Sequence, residues 1–383
     1  MNNQIFKFQI KMFKIIKQLK NSKARIGKIK TNHGVIKTPF FMPDATRGFV
    51  KLIDNQTLNK INVPAMVVNT LHLYLQPGIK IIKKAKGIHN FIAWDKPLLS
   101  DSGGFQVFSL IHKNAKMGKI TDESVIFKSP IDGSMHELTP EKAIQIQFAL
   151  KTDMIVCLDD CPANNFKRKD LEKSVERTIL WARRCRKEYD KQVKCRKRKP
   201  LFFSVIQGGA ELDLRKKCVE ELVNIDFDGY GFGGMPIDQN GHFAKKVLQF
   251  TVDLIPKNSL RFALGIGTPQ NIIECFKMGW DMFDCVIPTR EARHGKLFNS
   301  ITNYQLSMTK LNKKFYNTLN INNAKFANDF SPINANSKLP ELQKHSKAYL
   351  RYLLKLKDPV GQRLASINNL EFYMDLMKNM GKT

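Results

Sequence analysis

The chain has 383 residues, enough to bury one large core or two smaller ones, and its 43% hydrophobic and 25% charged content is that of an ordinary soluble globular protein. Its 63 Lys and Arg against 34 Asp and Glu give a formal charge of +29, which favours polyanions, nucleic acid first among them, although a Lys-rich composition with no specific partner gives the same count. Seven cysteines without a CxxC pair count against a disulfide framework or zinc ribbon and fit reduced thiols in the cytoplasm, and no apolar run approaches the roughly 20 residues that span a bilayer.

The first 20 residues, MNNQIFKFQIKMFKIIKQLK, lack acids, but they are rich in Lys rather than Arg and poor in Ser, so they read as a strand or helix rather than a targeting peptide. Short apolar strands then follow at Pro39–Pro43, ending at Asp44, at Ala65–Asn69, and at Pro97–Asp101, which runs into Ser102-Gly103-Gly104-Phe105-Gln106. Between Asp122 and Leu138, Asp132-Gly133 separates two strand patterns, the signature of an inserted hairpin that could serve as a lid, a substrate shelf or mere packing. Thr139-Pro140 opens a helix, with Thr as N-cap and Pro in the first turn.

Further strands are expected at Met154–Asp159, Leu201–Gln207 and Gly229–Gly234. The basic stretch from Lys167 to Lys199 carries Ile179, Trp181 and Tyr189 at helical spacing; a solvated face and a phosphate-binding face are both open readings. From Phe262 a strand breaks into Gly265-Ile266-Gly267-Thr268-Pro269, a helix covers Gln270–Met278, and an eighth strand, Met282–Ile287, holds Asp284 in its middle. An acid there either bonds to backbone or to Arg290, or it is a nucleophile or base at the strand's mouth.

Eight strands alternating with helices predict an α/β fold, a (β/α)8 TIM barrel with an inserted hairpin and a small C-terminal subdomain; an open doubly wound sheet lacks its GxGxxG turn here. The domains expected are 1–302, the barrel with N-terminal strands; 303–369, an appended subdomain with an amphipathic helix over Ser346–Leu356; and 370–383, a closing amphipathic helix over Leu370–Met380. Asp101, Asp159, Gln207 and Asp284 all end strands, which places them on one face of a barrel. Any one alone would read as a helix cap.

The stretches HGVIKTPFFMP, NTLHLYLQPG, LLSDSGGFQVFSL, CLDDCP, SVIQGG, GFGGMP, LGIGTP, DMFDCVIPTREARHGKLF and INNAKFANDFSPI together resemble the bacterial tRNA-guanine transglycosylase (queuine tRNA-ribosyltransferase) family over nearly the whole chain. The resemblance implies a pentosyltransferase that replaces guanine at the anticodon wobble position of GUN tRNAs with a 7-deazaguanine, preQ1 or queuine. By it, Asp284 matches the covalent nucleophile and Asp101 the general acid/base. Asp159 and Gln207, with the backbone of Gly233, Gly234 and Met235, match the base-recognition set, and Phe105 and Leu264 the residues sandwiching the base. Arg290 and Arg293 match phosphate-contacting positions, and Lys296, just past the eighth strand beside them, adds positive charge that would hold a tRNA next to Asp284. The anticodon loop is the implied partner and a homodimer a possible one, with a cytoplasmic location and no membrane. The chemistry is coherent, since two inversions through a carboxylate give retention while a second carboxyl carries the base proton.

Two departures stand out. Family members carry a zinc site of three cysteines and a histidine, but Ser337, Leu339, Leu342 and Asn368 occupy those positions and no cysteine follows Cys285, so no metal or other cofactor is expected. Gln239 replaces the acid that supports the base-binding backbone, Pro236 stiffens that turn, and bulky Ile237 favours a small base such as preQ1 over queuine. The rival reading is a non-catalytic tRNA-binding subunit; retention of both Asp101 and Asp284 favours the enzyme.

Overall fold

The computed structural model describes residues 12–20, 22–163, 165–194, 196–237, 241–301 and 315–382. Of the first 20 residues, 1–11 lie outside the described residues and the rest include a strand: β1 (Phe13–Gln18), β2 (Arg25–Thr31) and β3 (Gly34–Thr38) form an antiparallel sheet. Eight parallel strands follow in a second sheet: β4 (Phe40–Pro43), β5 (Met66–Val68), β6 (Leu98–Ser100), β10 (Met154–Val156), β11 (Leu201–Ile206), β12 (Gly229–Phe232), β13 (Leu260–Ala263) and β14 (Met282–Cys285). Their order is β4-β14-β13-β12-β11-β10-β6-β5, and a parallel bridge between Asp44 and Val67, with the Ala45 amide 2.8 Å from the Val67 carbonyl, brings β5 back to β4. The sheet is thus a (β/α)8 barrel, as its alternation predicts.

These strands are apolar on both faces because each face is covered. Met42, Val67, Leu99, Val156, Val205, Phe262 and Met282 pack in the barrel interior together with Phe13, Ile29 and Ile36 of the N-terminal sheet. Phe41, Val68, Ile155, Phe202, Ala263 and Phe283 alternate with them and face the helices. The antiparallel sheet therefore plugs the N-terminal end, anchored by Arg25, whose Nε lies 2.8 Å from Asp281 Oδ1 in the buried stretch just before β14. The C-terminal mouth is not covered by this sheet.

The insertion contains the expected hairpin, β8 (Val125–Lys128) and β9 (Met135–Leu138), and a strand that pattern did not reveal, β7 (Gly118–Ile120). Three residues beginning with glycine carry too little periodicity to announce a strand. Thr139 caps the helix Pro140–Leu150 through the Lys142 amide. The basic segment is one helix, Arg168–Val193, that buries Ile179, Trp181 and Tyr189. Several of its cations are engaged by neighbouring acids, Arg183 with Glu221 at 2.6 Å and Arg184 with Glu141 at 2.8 Å.

Most strands are shorter at one or both ends than the sequence reading, and two further differences have a clear cause. The eighth strand stops at Cys285, because Pro288 seeds the helix Ile287–Arg293 immediately after it. The closing helix, read as amphipathic from Leu370, begins at Pro359 under an Asp358 cap and is buried along almost its whole length. Its polar residues Asn368, Asn369 and Glu371 are buried rather than solvated: Asn369 accepts from the Phe298 amide at 2.9 Å and donates to the Pro288 and Lys296 carbonyls, both at 2.9 Å. Before it, β15 (Lys296–Ile301) pairs with β16 (Tyr316–Asn320), and Ser346 caps the helix Lys347–Lys355. The expected division at 302/303 falls outside the described residues.

Candidate active site at the barrel mouth

Alternation along the strands carries the interior directly into the site. One inward step beyond Met42, Val67, Leu99, Val205, Phe262 and Met282 stand Asp44, Asn69, Asp101, Gln207, Leu264 and Asp284. On β12 the inward positions are glycines: a side chain at Gly231 would strike Leu264, and one at Gly233 would strike Gln207. The apolar interior thus gives way to a polar rim with an open side at β12.

Asp284 lies beside Met42 of β4 in register, and its Oδ1 accepts from the Gly265 amide at 3.0 Å. Arg290, one bland partner weighed from sequence, lies 3.6 Å from Glu291 instead. Asp101 follows β6 and is held by three donors: Asn69 Nδ2 at 2.6 Å, the Thr70 amide at 3.0 Å and the Gly103 amide at 3.1 Å. Both acids sit at the same end of the barrel with β4 and β5 between them. Each keeps a solvent-facing edge, yet a concave mouth removes most of the hydration a carboxylate needs. That desolvation outweighs the hydrogen bonds and pushes both pKa values up to about 7, with the charge of Asp44 adding to the rise in each.

At the ends of β10 and β11, next to β6, Gln207 Nε2 donates to Asp159 at 2.6 Å, and burial again raises the Asp159 pKa to about 7. The Gln207 Oε1 is buried and has no partner among the described residues, so a donor from a bound molecule is its natural complement. Gly233 and Gly234 form the rim beside it, Gly234 at a positive φ of 84°, and Met235 is 48% exposed. Phe105, in the first turn of the helix Gly104–Lys113, is 53% exposed, while Leu264 is partly buried over Gly231. Gln239 lies outside the described residues.

Arg290 and Arg293 sit on the helix that leaves β14, and Lys296 opens β15. Arg290 and Lys296 share Glu291, the latter at 3.4 Å. Arg293 keeps a buried Nη1 without a partner among the described residues. Positive charge therefore borders Asp284 on one side.

Sequence reasoning passed over three residues. Asp44 and Asn69 end strands just as Asp101 does, and that shared position was the available signal. Arg215 had none: its buried guanidinium donates to the carbonyls of Gly209 at 2.7 Å, Ile206 at 3.2 Å and Gly233 at 3.0 Å, pinning the rim's backbone. At the opposite end of the barrel His33, His89 and Asp153 put potential ligand atoms within 4.8 Å of one another. Asp153 already accepts there from both imidazoles and from the His33 and Leu98 amides, the pattern of a tie between strands.

The zinc positions are also brought together, but their chemistry is wrong for the metal. Leu339 and Leu342 are fully buried and offer no donor atom, and Asn368 Nδ2 donates to the Phe298 carbonyl at 3.0 Å. Ser337 bonds to the buried carboxylate of Glu371, whose other oxygen accepts from the Lys338 amide at 2.7 Å. Glu371 thereby joins the segment to the closing helix.

The model of the family described as "Queuine tRNA-ribosyltransferase" matches residues 20–383. Relatives carrying that name include one from Halothermothrix orenii, 40% identical over 96% of this chain and 92% of its own length. Others are from Desulforapulum autotrophicum, 40% identical over 96% of this chain and 93% of its own length, and Staphylococcus aureus, 40% identical over 95% and 90%.

Proposed function

The chain belongs to the queuine tRNA-ribosyltransferase family, and from that premise we propose that it is a pentosyltransferase exchanging guanine in tRNA for a 7-deazaguanine base, preQ1 or queuine, through a covalent ribose intermediate on Asp284. The observation that carries this is the pair of half-buried carboxyls at one barrel mouth, each poised near neutrality. Asp284 has one oxygen held by the Gly265 amide, and the other, without a hydrogen bond among the described residues, would attack C1′ of the ribose. As that bond forms, the C1′–N9 bond breaks, its electron pair stays on guanine, and protonated Asp101 delivers the proton. The incoming base then returns a proton to Asp101, attacks C1′ and releases Asp284. Retention follows from the two inversions.

Asp159 and the unpartnered Gln207 oxygen, with the Gly233-Gly234-Met235 backbone, would read the base edge, and Phe105 and Leu264 would cover its faces. Arg290, Arg293 and Lys296 would hold phosphates of the anticodon loop. Single-stranded loops let a base be splayed into such a mouth at low cost. A site within the cytoplasm belongs to the same reading. The experiment is incorporation of labelled guanine into tRNAs with GUN anticodons. Tight tRNA binding without incorporation would instead mark a non-catalytic subunit.

The proposal includes a metal-free subdomain in which Glu371 does the cross-linking. Metal analysis of the purified protein should find no stoichiometric zinc, a chelator should leave the melting temperature unchanged, and Glu371→Ala should lower stability by about 2–4 kcal/mol, because it strands buried donors. Stoichiometric tightly bound zinc would refute it.

A homodimer is also proposed. Phe330, Tyr349 and Tyr352 are 78, 41 and 58% exposed on one side of the subdomain, where the Ala348 amide meets the Asp329 carbonyl at 2.8 Å. Sedimentation should give twice the 44.0 kDa chain mass. Tyr352→Glu should return it to monomer; an unmoved dimer removes this face from the interface.

A further inference from the structure

The acid at the head of β4 has no part in the scheme above, and its position makes it hard to leave idle. Asp44 stands on the strand bonded to β14, one inward step beyond Met42, which is in register with Asp284. On its other side β5 presents Asn69, the residue that holds Asp101. Asp44 thus occupies the arc between the two acids and away from Asp159, Gln207 and Gly233. If Asp284 meets the sugar and Asp159 and Gln207 meet the base, this arc faces the sugar.

The geometry of Asp44 is built rather than incidental. Its Oδ1 accepts from both the amide and the hydroxyl of Thr46, the former at 2.8 Å. The same turn is tied down by the Ala45 amide on Val67 at 2.8 Å and by the Asn69 amide on the Thr46 carbonyl at 3.0 Å. Among the described residues Oδ2 receives no hydrogen bond. A third carboxylate here is costly, since its charge opposes ionisation of both Asp101 and Asp284. Arg293 and His72 feel that charge in the same region, yet neither forms an ion pair with it.

We propose that Oδ2 of Asp44 accepts the 2′-hydroxyl of the ribose held at Asp284, making the site selective for ribose over deoxyribose; this rests on the base-exchange reading above. The chemistry suits a carboxylate. As C1′ takes on oxocarbenium character the neighbouring hydroxyl becomes a stronger donor, so its hydrogen bond strengthens at the transition state. The 2′-hydroxyl is also the group by which a protein tells RNA from DNA.

The test uses the full chain and an anticodon stem-loop RNA with either guanosine or 2′-deoxyguanosine at the exchanged position. The parent should prefer the ribose substrate in kcat/KM by between about 10- and 100-fold, the range of a charge-assisted hydrogen bond. Asp44→Asn keeps an acceptor for Thr46 and replaces the free oxygen with a donor. It should lose most of its rate on the ribose substrate and little on the deoxy one, leaving a preference within about 3-fold. Asp44→Ala should do the same, and because the preference is a ratio within each variant, partial unfolding cannot imitate the result. A preference retained in both variants, or absent in the parent, overturns the assignment. No incorporation by the parent on either substrate overturns the base-exchange reading with it.

Discussion

Asp284→Asn should lose at least about 10³-fold in guanine incorporation while the protein stays folded, because the substitution removes the carboxylate oxygen placed to bond to C1′ and little else. Among the described residues the side chain accepts one hydrogen bond, from the Gly265 amide at 3.0 Å, and an asparagine oxygen can keep it. Stability should move the other way from activity. The native carboxyl has a pKa of about 7, above the ordinary 3.8, so between those values the folded state holds more protons than the unfolded one. Its contribution therefore grows less favourable as pH rises from about 4 to about 7 and is level above that. The asparagine variant lacks this penalty, so it should melt above the parent at pH 8 and close to it near pH 4. Equal incorporation by variant and parent would remove Asp284 from the mechanism; a lower melting temperature at pH 8 would show that the carboxylate is a structural tie instead.

Asp101→Asn should cost between about 10²- and 10⁴-fold, the usual worth of a positioned general acid and base, and unlike the first variant it should also destabilise. Three donors converge on this carboxyl. An asparagine would turn its NH2 toward one of them and leave at least one buried group unsatisfied, at about 1–3 kcal/mol. The pH profile separates a chemical role from a structural one. The parent needs Asp284 ionised and Asp101 protonated for the first displacement, and both titrate near 7, so its rate should be bell-shaped around neutrality. Without Asp101 the alkaline limb should vanish and the acid limb remain. A variant that keeps a bell of unchanged width places the proton with another group.

The contrast between these two acids shows what a sequence can and cannot say. Both end a strand at a barrel mouth, and the resemblance assigns each a role, but only the folded chain reveals that Asn69, a residue 32 positions away, fixes one of them while the other is left nearly bare. Asp44 was visible as an acid at a strand end and went unused because nothing local marks one such acid from another. Arg215 lies in an ordinary helical pattern and becomes meaningful only when its guanidinium meets the Gly233 carbonyl.

The sequence by itself determined the barrel, since eight apolar strand patterns punctuated by glycine, proline and capping residues encode local conformation, and local conformation is set by neighbours along the chain. It also located the hairpin turn at Asp132-Gly133 and the Thr139 cap, for the same reason. Tertiary structure alone decided that Asn368, Asn369 and Glu371 are buried, that the closing helix begins at Pro359, and which donors hold each acid at the mouth. Burial and the distance between remote strands are properties of packing, and they set a carboxyl's hydration and therefore its proton affinity.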